Sequence, residues 1–320
     1  MSKTTKVWLI TAASLAVLGL LIFTGVMTVY GWDFSKLGTV KYTTNLCKVS
    51  GDFEKISIDT ETTEIEFLPS EDGQCRISFF ETEKVKHSAT VREGTLVIDT
   101  VDERKWYDSI GIFWETPKMT VYLPQEKYSS LVIDIATGDI EIPADFVFES
   151  IRISGGTGDV KCLASVSDAL EIELSTGDIE LRNISAGVLD LSVTTGEIEL
   201  DAVSCRGDVR IGVSTGDAEL DRVSCKNFTS DGSTGDLTLK NVVASEGLTV
   251  RRSTGDVRFE HSDAAEISVK TSTGSVTGTL LTEKIFKTDT SAGRVRVPQT
   301  TGGGKCEIVT STGNIEIEIP

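Results

Sequence analysis

The chain is poor in the residues that carry most enzyme chemistry. Its 320 residues include only two histidines, His87 and His261, together with six cysteines and six prolines. So little imidazole gives acid–base or metal chemistry almost nothing to work with. Cys47, Cys75, Cys162, Cys205, Cys225 and Cys306 form no C-x-x-C pair and no zinc spacing, and they are too few for a disulfide scaffold. No P-loop, HExxH or nucleophile-elbow motif is present. No irregular cluster of Asp, Arg and Lys, of the kind polysaccharide-processing β-helices use, interrupts the pattern. The sequence therefore nominates no catalytic residue, no cofactor and no metal site.

Positive charge is also scarce. Lys and Arg total 31 against 49 Asp and Glu, a net charge of −18. Such a surface repels nucleic acid, whose binding needs cationic neutralisation of phosphates, and it repels anionic headgroups and anionic wall polymers too unless cations intervene. It also serves simply to keep a repeat protein soluble. Beyond residue 32 there is no long apolar run and no helical periodicity.

What is present begins with an uncharged stretch, Val7–Tyr30, VWLITAASLAVLGLLIFTGVMTVY. As a helix it would extend about 36 Å, enough for a hydrocarbon core of about 30 Å. Lys3 and Lys6 precede it, which favours a cytoplasmic N-terminus, and Trp8, Tyr30 and Trp32 suit the two interfaces. A cleaved signal peptide would have a shorter apolar core and a small-residue cleavage site. The expectation is an uncleaved single-pass anchor at the cell membrane, with everything after it extracytoplasmic.

A small-residue turn then recurs as ATGD, GTGD, STGD, TTGE, STGS, SAGR and STGN, with glycines at 138, 158, 177, 196, 216, 235, 255, 274, 293 and 313. Successive glycines are 19 or 20 residues apart. Two and four residues after most of them comes an apolar pair such as Ile179 and Leu181, Ile198 and Leu200, or Leu237 and Leu239, usually around a polar residue. Seven and five residues before the glycine comes another, such as Leu170 and Ile172 or Leu189 and Leu191, and a third apolar site follows at Ile184, Val203, Val223 and Val242. Period-two patterning means strands with one buried face. One such unit cannot bury its own apolar side, but stacked units can. The predicted fold is all-β, a right-handed parallel β-helix of 19–20 residues per rung, preceded by one N-terminal transmembrane helix. At about 4.8 Å per rung, ten rungs make a rod of about 45–50 Å. Within the repeats, short of the final Pro320, proline occurs only at Pro143 and Pro298, as continuous ladders require.

The expected organisation is a cytoplasmic N-terminus at 1–6, the anchor at 7–32, a connecting segment at 33–49, divergent rungs at 50–130 and regular repeats at 131–320. In the divergent region Thr63 replaces the turn glycine, and further strands are expected at Cys75–Glu81, Ser88–Val91, Thr95–Thr100 and Lys118–Leu123. An aromatic loop spans 102–117. There Trp106, Tyr107, Phe113 and Trp114 either cap the open end of the solenoid or contact a partner. At the other end the last rung, GNIEIEIP, has no evident cap.

The acidic column Asp139, Asp159, Asp178, Glu197, Asp217, Asp236 and Asp256 reads as turn capping, with carboxylates bonding backbone N–H groups. Relief of its repulsion by Ca²⁺ is the alternative. The turn threonines sit singly beside glycine, unlike the paired flat arrays that match ice. Cys162 is equivalent to Leu181 and Cys306 to Leu170, both inward. Cys205 and Cys225 share a column with Ala186, Ala244 and Ala264, where they are either buried free thiols or a disulfide.

The opening FEKISIDTETTEIEFLP, the TVYLP of Thr120–Pro124 and the repeated STGDIEL of Ser175–Leu181 resemble a bacterial family of unknown function known as "putative adhesin" or β-strand-repeat domains. The resemblance covers about 50–320. It implies a right-handed parallel β-helix in the bacterial cell envelope and supplies no site residues. The functional expectation is a non-catalytic adhesin-like or envelope scaffold protein, its partner a cell-envelope component or membrane protein. An envelope-stress sensor acting through membrane partners is the alternative, and a polysaccharide-processing β-helix enzyme a distant third.

Overall fold

The computed structural model describes residues 2–32, 42–103 and 116–320. Helix α1, Lys3–Val29, opens with the Ser2 side chain accepting a hydrogen bond from the Thr5 amide at 3.1 Å. It has a mean hydropathy of 2.3 over its most apolar stretch, so its length and composition suit a membrane span or a signal anchor. Trp8, Leu9, Ile10, Leu20 and Leu21 all stand exposed along it.

The rest of the described chain is a β-solenoid of parallel coils. Equivalent residues stack in register, as Ile179 on Ile198, Ile198 on Ala218, and Ala218 on Leu237. The second strand of each coil does the same, with Leu170 on Leu189 and Leu189 on Val209. These side chains are buried and join one continuous apolar interior from Ile56 to Ile317. The driving force is the period-two pattern itself: each coil alone exposes a row of Ile, Leu and Val, and each such side chain gains roughly 1.5–3 kcal/mol when neighbours cover it.

The T-G-D corner fixes the register. From Gly138 to Gly274 the amide of the turn glycine donates to the threonine carbonyl of the neighbouring coil, as Gly177 to Thr195 at 3.0 Å and Gly216 to Thr234 at 2.9 Å, and Gly313 donates to the Ala292 carbonyl. Gly216 has φ +130°, and a Cβ there would lie 2.0 Å from the Gly196 carbonyl oxygen, so only glycine fits. A second corner follows six residues later. There Asn183, Ala202, Arg222, Asn241 and His261 adopt φ of 50–54°. No glycine marks this corner, which is why periodicity alone does not reveal it.

Both ends depart from sequence order. At the N-terminal end the strands are β1 (Tyr42–Lys48), β2 (Lys55–Thr62), β3 (Glu64–Pro69), β4 (Arg76–Thr82), β5 (Val85–Arg92), β6 (Thr95–Asp102), β7 (Lys118–Leu123), β8 (Lys127–Thr137) and β9 (Ile140–Ile142). The coil made by β2 and β3 lies between that of β8 and β9 on one side and that of β6 and β7 on the other. Rather than adding rungs, β4 and β5 run antiparallel, β4 to β7 and β5 to β6, and β1 pairs antiparallel with β4. This hairpin layer covers the end of the parallel stack.

The C-terminal end uses the same device. The strands Gly304–Thr312 and Ile315–Glu318 do not form the last rung. They insert between the coil of 257–280 and that of 284–296, so Cys306 is flanked by Ile267 and Phe286. The exposed edge is therefore 284–296, and within GNIEIEIP Ile315 and Glu316 are paired on both sides while Ile317 and Glu318 pair on one. The inserted coil gains partners on two edges where a terminal one would have a single partner.

Candidate functional site

Three polar features interrupt this regular fabric. The first is the acidic corner. The Asp159 amide donates to Asp139 Oδ1 at 2.9 Å, and the amides of Asp178 and Glu197 donate to Asp159 and Asp178 at 2.8 Å. After Glu197 the pattern resumes: the amides of Asp236, Asp256 and Ser275 donate to Asp217, Asp236 and Asp256. The carboxylates thus cap the backbone of the following coil, and this bonding offsets repulsion along the column. Glu197 is the one member whose longer side chain makes no such bond to the next amide, that of Asp217, among the described residues. Burial and the neighbouring Asp178 and Asp217 push its carboxyl above the ordinary range. Among the described residues no group of three or more His, Cys, Asp and Glu side chains is placed to hold a metal ion.

The second feature is a shallow groove of about 440 Å³ running across consecutive coils. Its walls include Ser192, Ser214, Ser233, Ser253, Asp231 and Arg251, and the missing side chain of Gly212 contributes to its open shape. Asp231 and Arg251 pair across one coil step at 3.4 Å. Beneath lies Arg252, 4% exposed although it occupies an inward column otherwise held by residues such as Leu174 and Val213. Its guanidinium reaches Ser230 Oγ at 3.1 Å and the Gly235 carbonyl at 3.5 Å. This accounts for Ser230 and Gly232, which stand where the repeat calls for apolar side chains: Ser230 supplies an acceptor and Gly232 supplies room. A Cβ on Gly232 would meet Arg252 Nη1 at 2.3 Å. The sequence signal was the paired loss of two apolar residues, one coil before an arginine in an inward position.

The third feature is a buried cluster beneath the N-terminal hairpin layer. His87 Nδ1 lies 3.1 Å from Glu81 Oε2, and His87 Nε2 lies 3.1 Å from Thr60 Oγ1 and 3.3 Å from Thr63 Oγ1. Glu81 also accepts from Asn45 Nδ2 and the His87 amide, both at 2.7 Å. The imidazole stacks on Phe79 with centroids 5.2 Å apart. Thr60 and Thr63 are themselves buried, so this threonine–histidine–glutamate array is closed to substrate and ties β4 and β5 to β2.

Of the nominated residues, Trp106, Tyr107, Phe113 and Trp114 lie outside the described residues. The cysteines are all free thiols, and Cys205 and Cys225 fall in the column of Ala186, Ala244 and Ala264. Burial pushes the thiols of Cys75, Cys162, Cys225 and Cys306 up to about 12, which leaves them unreactive. Cys47 alone is half-buried.

Comparison with known proteins gives a consistent picture of the fold. A family model described as Toastrack DUF4097 matches residues 53–217 and 206–320. None of the curated proteins matches the chain. A solved "putative adhesin" from Parabacteroides distasonis is similar with a TM-score of 0.51 at 12% identity, over 87% of this chain and 98% of that one. Another, from Parabacteroides merdae, gives a TM-score of 0.51 at 13% identity over 75% of this chain and 97% of that one. A "putative lipid binding protein" from Parabacteroides distasonis gives 0.50 at 16% identity over 74% and 97%. At these identities the likeness is one of fold.

Proposed function

The chain belongs to the Toastrack DUF4097 family, and from that premise we propose that it is a membrane-anchored, extracytoplasmic rod that binds other molecules without catalysing their turnover, as an adhesin or envelope scaffold does. The observation that carries this reading is where the polar side chains go. The acidic column caps backbone, the histidine cluster is sealed, and the groove exposes hydroxyls and one ion pair but no reactive group. A surface built this way can present hydrogen-bonding groups to a partner, but it lacks a nucleophile beside a base. The names of the similar adhesin structures agree with a binding role. The aromatic residues Trp106, Tyr107, Phe113 and Trp114 are proposed as partner contacts, since Trp and Tyr commonly anchor interfaces.

The test is cross-linking of the full-length chain on intact bacteria, followed by capture and identification of what is attached. Recovery of a wall polymer or a neighbouring cell's surface component supports adhesion. Recovery of one membrane protein only favours the sensor reading. The chain should stay with membranes through an alkaline wash and be digested by protease added outside the cell. Protection from that protease in intact cells would overturn the orientation.

A further inference from the structure

At the C-terminal end, Lys284 and Asp263 are both buried and in contact, Nζ to Oδ1 at 2.6 Å. A surface ion pair would need no comment, but this one is enclosed and its surroundings are directional. Lys284 Nζ also donates to Thr282 Oγ1 at 2.5 Å, and Thr282 Oγ1 in turn donates to Asp263 Oδ2 at 2.6 Å. The other carboxyl oxygen, Oδ1, accepts the Ala264 amide at 2.7 Å. One oxygen is thus held by a backbone N–H, while the other is linked to the amine through a hydroxyl able to relay protons.

We infer that Lys284 and Asp263 condense into an intramolecular isopeptide bond, a self-made cross-link of the folded protein. The amine nitrogen bonds to the Asp263 carboxyl carbon and the bond from that carbon to Oδ2 breaks. Two of the three ammonium protons pass to Oδ2 through Thr282, Oδ2 departs as water, and the third proton stays on the new amide nitrogen. Oδ1 becomes the amide carbonyl and keeps the Ala264 hydrogen bond, which also steadies the negative charge that builds on it during attack. Exclusion of water favours the amide over its hydrolysis, and folding supplies the proximity. No oxidant, metal or second protein enters the balance.

The location gives the bond a purpose. Lys284 begins the outermost strand and pairs with Gly304, while Gly304 packs so closely on Ala265 that a Cβ would lie 1.8 Å from its carbonyl oxygen. The lysine side chain therefore crosses the inserted C-terminal coil at a residue with no side chain and reaches the coil beyond. A covalent bond there would clamp the three coils together and resist peeling from the exposed end.

Intact mass spectrometry of the full-length chain, extracted in detergent, decides the matter. The expected mass is lower than the sequence mass by one water, and trypsin should fail to cut after Lys284, yielding a fragment in which 259–270 is branched to 271–287. Lys284→Arg should restore the full mass, and Thr282→Val should give a mixture of linked and unlinked chains. A wild-type chain at full mass overturns the proposal, as does a water loss that persists in Lys284→Arg, which would mark a backbone imide at Asp263 instead. The wild-type mass and fragment are informative even if a variant fails to fold.

Discussion

At the scale of single residues, the acidic column behaves as a chain of caps with one weak link. The Glu197 amide donates to Asp178 in the preceding coil, but among the described residues the Glu197 carboxylate accepts nothing from the amide of Asp217. Glu197→Asp should complete the series and stabilise the solenoid by about 1 kcal/mol, the usual net worth of one added hydrogen bond. A rise in the urea midpoint with an unchanged slope would show it; no change would mean that the longer side chain is not the cause of the gap. The buried thiols make a second residue-scale prediction. With thiols held near 12 by burial, Cys75, Cys162, Cys225 and Cys306 should resist alkylation in the native protein while Cys47 reacts. Labelling of Cys225 at the rate of Cys47 would contradict the packing. Arg252 shows where reading a repeat one column at a time falls short. Ser230 and Gly232 look like lapses until the guanidinium one coil away is seen to fill the space they leave.

At the scale of elements, the order of the last two coils can be tested directly. Residues 306–312 are paired on both sides, so their amides should exchange with solvent more slowly than those of 284–292, the reverse of what sequence order implies. Equal protection of the two would argue against the insertion. The same pair of strands responds to acid. Lys305 and Lys287 hold the Glu307 carboxyl down from 4.5 to about 2. A depressed carboxyl stabilises the folded state above its ordinary range, and that contribution is lost as pH falls from about 4.5 toward 2. Protection of 284–292, taken relative to the intrinsic exchange rate at each pH, should therefore fall over that window, and Glu307→Gln should remove the change. Much of the element pattern was legible in sequence, because a strict spacing of turn glycines and alternating apolar pairs leave few other folds open. The permuted ends were not, because strands 284–296 and 304–318 carry the same pattern as their neighbours and either order would bury it. The antiparallel β4 and β5 were hidden for a related reason: alternation specifies a buried face, not a direction.

At the scale of the whole molecule, the net charge of −18 sets a uniform background of self-repulsion on which the coils are stacked. Raising ionic strength from about 0.01 to about 0.15 M shortens the screening length from about 30 to about 8 Å and should raise the thermal midpoint. A fall would mean that the ion pairs across coils, such as Arg152 to Glu171 and Arg210 to Asp190, outweigh the net repulsion. The groove and the corner were readable only in part from sequence. The acid column's capping role follows from its place after glycine, whereas the hydroxyl-lined groove depends on which outward positions of neighbouring coils carry small side chains, as Gly212 does.

The tucked-in ends also govern how such a molecule can change length over generations. A coil inserted beside Ile315 and Glu316 would have to displace partners already held on both edges. A duplicated unit between Thr195 and Gly216 would meet matching partners above and below, and it would lengthen the rod by one strand spacing while leaving both termini as they are. Growth by tandem duplication is thus easiest in the middle, where the T-G-D units are most alike, and reach becomes a trait that can be adjusted without disturbing the coils at either end.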